Sequence, residues 1–122
     1  MATRWNDSQP IYWQLKERTI AMILDGTLAA GDALPSVRTV AAEFQLNPIT
    51  VSKSYQALVD EGLVEKRRGL GMFVNEGARK KLVESERKKF INEEWPATVA
   101  RIRQLGLDAE ELLNQANEET EG

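Results

Sequence analysis

A proline inside a helix costs about 3 kcal/mol, so Pro48 restricts where helices can run through the middle of this chain. Asn47 stands directly before it as a strong N-cap. A proline at the first helical position gives up only an N–H that would be unpaired anyway. Asn47-Pro48 therefore marks a helix start, and "ITVSKSYQALVD" continues it with Val51, Tyr55, Leu58 and Val59 on one face. Thr50, Ser52, Lys53, Ser54 and Gln56 are then expected to face solvent. Gly62 closes the helix, with Leu63 placed to fold back on its last turn. Upstream, Ser36 caps a second short helix through about Phe44 that buries Val37, Val40, Ala41 and Phe44. Only Gln45-Leu46 separates the two. The chain must turn tightly there.

The flanking sequence is organised around that pair. Pro10 is expected at the first position of a helix through Leu24, with Ile11, Leu15, Ile20, Ile23 and Leu24 as its buried stripe and Trp13 and Met22 nearby. Gly26 ends it, and "TLAAGDALP" is a connection with room for a short strand at Ala33–Leu34. "LVEKRRGLGMFV" predicts a hairpin with strands 63–67 and 72–75 around the turn 68–71. A charged helix follows, with Leu82, Val83, Phe90, Ile91 and Trp95 as its apolar set, and Pro96 must kink or restart it. Val99, Ile102 and Leu105 continue that set, and Asp108 with Glu111 predicts the start of a last helix holding Leu112 and Leu113. The expected class is mainly α with one small β-hairpin, as two parts: residues 1–75 and a helical segment at 76–122.

Composition narrows the chemistry. The 122 residues contain no cysteine and no histidine, which removes disulfides, thiolate metal sites, the usual general base and the commonest metal ligand. No cofactor or metal is expected. The longest apolar run, "TIAMIL", is too short to span a bilayer, and "MATRWNDSQP" lacks a signal-peptide core, so a cytoplasmic location is expected. The net charge of −3 argues at first against a nucleic-acid partner. Its distribution argues otherwise. Residues 1–80 carry ten basic and nine acidic side chains, and residues 81–122 carry six and ten. The excess acid sits in the tail, and binding is governed by the local patch.

Helix, short helix, tight turn, helix, hairpin is the order of a winged helix-turn-helix. In that architecture the second helix of the turn unit enters the DNA major groove and presents its N-terminal residues to base edges. Asn47 would fix where Ile49, Thr50, Ser52 and Lys53 meet DNA; their modest size suits a groove about 12 Å wide. Ser36 and Arg38 open the preceding helix, where free N–H groups and a guanidinium suit a phosphate or a guanine edge. Arg67, Arg68 and Gly69 at the hairpin tip suit a phosphate or a narrow minor groove. Plainer readings stand beside these. The α-helical polar face and the charged hairpin could be solvated surfaces, and Arg38 could pair with an acidic neighbour. Trp5, Trp13 and Trp95 read as core or dimer-interface anchors.

The stretch from Gly26 to Val74 resembles the GntR family of bacterial transcription factors. The resemblance rests on Gly31, Leu34-Pro35-Ser36, Arg38, Ala41, Leu46-Asn47, Thr50-Val51, Tyr55, Leu58, Gly62-Leu63, Arg67-Arg68-Gly69 and Gly71-Met72-Phe73-Val74. Asn47-Pro48, Lys53, Tyr55 and the short helical tail are similar to the YtrA branch. The resemblance implies a homodimeric repressor that binds double-stranded operator DNA through positions matching Ser36, Arg38, Asn47, Thr50, Ser52, Lys53 and Arg68-Gly69. It also implies that the tail helices form the dimer interface, assigned to Leu82, Val83, Phe90, Ile91, Trp95, Val99, Ile102 and Leu105. The sequence departs from many branches at Pro48 and Ser52, where those carry Arg, and at Leu70, where a polar wing tip is usual. The tail's apolar groups could instead fold back on the winged part. A protein-interaction module is the main alternative function, though it would have no need of Arg38, Lys53 and Arg68 converging. An enzyme would rest on carboxylates, Lys, Ser or Tyr, and no paired set stands out. A small-molecule effector between the tail helices stays open, and its identity is unreadable.

Overall fold

A computed structural model describes residues 5–121. Its helix ends follow local capping chemistry. The first helix, α1 (Ile11–Leu24), begins one residue later than expected, because Pro10 keeps an extended ψ of 142° and supplies the carbonyl that accepts from the Gln14 N–H at 3.2 Å. Its buried stripe is Leu15, Thr19, Ile20 and Ile23. Ile11, expected inside, is exposed. Thr19 is tolerated inside because its Oγ1 donates to the Leu15 carbonyl at 3.0 Å.

Ser36 Oγ accepts from the Thr39 N–H at 3.1 Å to start α2 (Val37–Phe44). The tight turn then depends on Gln45, the one non-glycine residue among those described with positive φ, at 55°. That left-handed step lets the Leu46 N–H reach the Ala41 carbonyl at 2.9 Å, a Schellman closure. Asn47 Oδ1 accepts from the Ile49 N–H at 2.9 Å and α3 (Pro48–Asp60) follows. At its far end Gly62, at φ 74°, allows the Leu63 N–H to bond the Leu58 carbonyl at 3.0 Å.

The hairpin is β1 (Val64–Arg67) against β2 (Gly71–Val74), antiparallel, with Val64 opposite Val74 and Arg67 opposite Gly71. Gly71 thus pairs in a strand instead of lying in the turn, and Leu63 and Asn75 fall outside. In place of the short strand expected at Ala33–Leu34, Ala33 forms an isolated bridge to Phe73, and the Leu34 N–H donates to the Met72 carbonyl at 2.8 Å.

Val51, Leu58, Ile23 and Val64 form the centre of the core, ringed by Leu15, Leu34, Val40, Tyr55, Leu63 and Val74. Ser54 corrects the expected polar face of α3, being fully buried. It lies three residues after Val51 and four before Leu58, in the middle of the buried stripe of α3. Its Oγ has no hydrogen-bond partner among the described residues.

The next helix, α4 (Ala78–Lys89), begins in this same unit, burying Ala78 and Leu82. Arg79 Nε donates to the Leu24 carbonyl at 3.0 Å and Lys81 Nζ to the Glu61 carbonyl at 2.6 Å. Both cations meet helix C-termini, where the helix dipole favours positive charge. Leu82 was expected with the dimer contacts. It is 8% exposed in the single chain, because the winged unit itself covers it.

The chain divides between Val83 and Glu84 into two units. Beyond that point α4 runs into a π-helical turn (Phe90–Glu94), then α5 (Trp95–Gln104) and α6 (Ala109–Glu121). The π turn is how the helix restarts at Pro96. The Trp95 N–H reaches the Phe90 carbonyl, and the proline falls in the first turn of α5, where its missing N–H leaves no gap. Asp108 Oδ1 accepts from the N–H groups of Glu110 and Glu111 at 2.9 and 3.2 Å, opening α6 as expected. Phe90 stacks on Trp95 with ring centroids 6.3 Å apart.

Candidate nucleic-acid interface

The first turn of α3 is fixed by Asn47, whose side chain holds the Ile49 N–H and whose carbonyl accepts from the Thr50 N–H at 2.9 Å. What this turn presents is mostly exposed. Ile49 stands 74% open, Asn47, Ser52 and Lys53 are exposed, and Thr50 is half-buried. Ile49, Ser52, Lys53 and Gln56 form a single open stripe at helical spacing. Lys53 is less free than its exposure suggests, because its Nζ sits 4.1 Å from the centre of the Tyr12 ring on α1. Such a contact is worth about 0.5–1 kcal/mol at an exposed site and holds the charge toward the α1 side of α3.

At the start of α2, Ser36 is committed in two directions, accepting from the Thr39 N–H and donating its own hydroxyl to Thr39 Oγ1 at 2.8 Å. The outward donor of that pair is then the Thr39 hydroxyl, which sequence reasoning did not single out. Arg38 is exposed, with no ion-pair or hydrogen-bond partner among the described residues. Tyr55 anchors this corner from within: its Oη donates to the Pro35 carbonyl at 2.6 Å. Burial pushes the Tyr55 phenol up to about 12, so it stays a donor. The sequence placed Tyr55 on the buried face without revealing this link, which pins the segment leading into Ser36 and Arg38 to α3.

The wing divides its two arginines. Arg67 Nε donates to Glu65 Oε1 at 2.7 Å, and its guanidinium lies 4.4 Å from the centre of the Phe73 ring. Arg67 and Glu65 sit two apart on one strand, so both side chains leave the same face of the hairpin. Arg67 is therefore partly neutralised, while Arg68 is exposed and without a partner among the described residues. The turn closes when the Leu70 N–H reaches the Arg67 carbonyl at 2.9 Å, with Gly69 at φ 78° as a type II pattern requires. Leu70 projects from it, 72% exposed.

A groove of about 440 Å³ opens between α3, the start of α2 and the wing, and it is lined by Ser36, Ser52, Tyr55, Gln56, Arg67 and Gly69 among others. Four of the ten predicted contact residues meet there: Ser36, Ser52, Arg67 and Gly69. Arg38, Asn47, Ile49, Thr50, Lys53 and Arg68 lie outside its lining. The predicted tail residues Phe90, Ile91, Trp95 and Leu105 are exposed, and Val83, Val99 and Ile102 are half-buried.

The sequence profile described as "Bacterial regulatory proteins, gntR family" matches residues 11–74, the span from α1 to the end of β2. The chain belongs to the GntR family. Among curated GntR-type relatives, "Uncharacterized HTH-type transcriptional regulator YhcF" of Bacillus subtilis is 34% identical over all of this chain and 99% of its own. "HTH-type transcriptional repressor YtrA" of the same organism is 37% identical, over 86% of this chain and 80% of its own. Among solved structures, a GntR family transcriptional regulator from Listeria monocytogenes superposes with a TM-score of 0.73 at 28% identity, covering 93% of this chain and 98% of its own. The DNA-binding domain of AraR in complex with operator ORX1 superposes at 0.53 and 25% identity, over 61% of this chain and 90% of its own. This GntR protein is thus a winged-helix, DNA-binding transcriptional regulator of the YtrA-like kind, and not an enzyme.

Proposed function

We propose that the chain represses transcription as a cytoplasmic homodimer bound to an inverted-repeat operator. Residues 1–75 supply the DNA face and most of the apolar residues of 76–122 supply the dimer contact. The observation that carries this reading is the cap-fixed, exposed tip of α3 together with two guanidiniums, Arg38 and Arg68, that have no partner among the described residues. Asn47, Ile49, Thr50, Ser52 and Lys53 meet the major groove. Ser36 and Arg38 approach from the start of α2, and Arg67, Arg68 and Gly69 approach from the wing. The exposed Phe90, Ile91, Trp95 and Leu105, with Val83, Val99 and Ile102, are apolar surface that a second copy would cover. Leu82, buried in the core of the winged unit, is not part of that apolar surface. A symmetric dimer would set two α3 helices about 34–36 Å apart, one turn of DNA. Any small-molecule effector would lodge between the paired tail helices. YtrA, the relative named as a repressor, supports the direction of control.

Mobility-shift titrations on an operator selected from random DNA, at several salt concentrations, test the surface. Arg38→Ala is expected to weaken binding by about ten- to a hundredfold and to relax preference at one base position. Thr50→Ala is expected to weaken it more evenly across sequences. Affinity of the parent should fall steeply with salt as phosphate contacts release counterions. Parental binding by both variants would show that the surface lies elsewhere.

A further inference from the structure

Ile49 is a β-branched aliphatic residue at the second position of α3, 74% exposed, and it contributes nothing to the core. Nothing in the fold asks for it. The helix start is already secured by Asn47 and Pro48, and the positions that hold α3 to the protein are Val51, Ser54, Tyr55 and Leu58. On the open stripe of α3 its companions Ser52, Lys53 and Gln56 are polar. Two of them, Ser52 and Gln56, turn to the wing groove, and Lys53 turns to Tyr12. On that stripe the side chain nearest the helix tip is therefore the one that cannot form a hydrogen bond. A major groove offers one apolar feature on its base edges, the C5-methyl of thymine.

We infer that Ile49 is a specificity-determining residue that recognises a thymine 5-methyl group in each half-site. The Asn47 cap holds its backbone N–H at 2.9 Å, so the side chain is presented from a fixed backbone and its position along the groove is set before binding. Stiffness at χ1 adds to this, since a β-branched side chain on a helix has one strongly preferred rotamer. Contact with the methyl removes apolar surface from water on both partners, while cytosine carries only a hydrogen at C5 and offers no such contact. The inference rests on the proposed entry of α3 into the major groove.

The test uses the full chain and a duplex selected from random DNA, with each thymine replaced in turn by deoxyuridine, which removes only the methyl. The parent is expected to lose about fourfold in affinity per half-site at one thymine position, the effect of one methyl-sized apolar contact. Ile49→Ala should bind the thymine duplex correspondingly more weakly and be indifferent to deoxyuridine at that position. Ile49→Val should retain most of the discrimination. The exposed site leaves thermal stability of the variants unchanged, so a folding defect is separable by melting. Parental indifference to every deoxyuridine substitution, or an Ile49→Ala protein that keeps the same sensitivity, would overturn the assignment. If Arg38→Ala and Thr50→Ala also bind like the parent, the groove reading itself fails. If those two weaken binding while Ile49→Ala does not, only the thymine contact fails.

Discussion

Tyr55 links the core of the winged unit to its outer surface. Its ring is buried between α1, α2 and α3, and its hydroxyl holds the Pro35 carbonyl just ahead of Ser36 and Arg38. Tyr55→Phe removes that bond, for an expected loss of about 1 kcal/mol in denaturant melts. The same burial gives a pH signature. Because the folded phenol sits at about 12 and the unfolded one near 10, the neutral form is the one the fold favours. The stability it contributes is fully present below pH 10 and is lost as pH rises from 10 toward 12. Melts across that range should show a decline in the parent that Tyr55→Phe lacks. An identical decline in both would assign it to other groups. Tyr55 also shows where sequence reasoning stops. Its place on the buried face followed from helical spacing, but its partner twenty residues away depends on how α2 folds back on α3. Ser54 differs for a related reason: serine reads as solvent-facing, and only the packing of other elements around α3 places it inside. For Lys53 and Arg67, helical and hairpin spacing predicts candidate DNA contacts but not the neighbours that hold them, Tyr12 for one and Glu65 with Phe73 for the other.

Element boundaries were more legible, because caps are local. Ser36, Asn47-Pro48, Gly62 and Asp108 each act within three residues of themselves, and each ends or begins a helix where its chemistry requires. The turn between α2 and α3 was legible in length but not in its mechanism, since Gln45 takes a left-handed conformation that a side chain disfavours by about 1–2 kcal/mol. Gln45→Gly is expected to stabilise the fold by about 0.5–1 kcal/mol, after the greater flexibility of glycine in the unfolded chain is counted. The check is an upward shift of the denaturation midpoint. A downward shift would mean that the glutamine side chain contributes something that outweighs its backbone strain. The restart at Pro96 was expected, whereas the π turn that accomplishes it was not, because a proline specifies only that one bond is missing and not how the preceding turn adapts.

For the whole molecule, the family profile covers only the winged unit, so the tail must be argued from its surface. Among the described residues from Glu84 onward none is buried, and Ile91 is 63% exposed beside Phe90 and Trp95. That apolar surface is what the proposed second copy would cover. The expected dimer joins the residue-level contacts to the operator: each protomer reads one half-site, and the pair doubles every contact made by Arg38, Thr50 and Arg68. The measurement that tests this most directly is a hydroxyl-radical footprint of the full chain on its selected operator. The account predicts two symmetry-related protected patches centred about 10–10.5 base pairs apart, the spacing of two α3 helices on one face of the duplex. A single protected patch, with affinity equal to the parent on an isolated half-site, would contradict it.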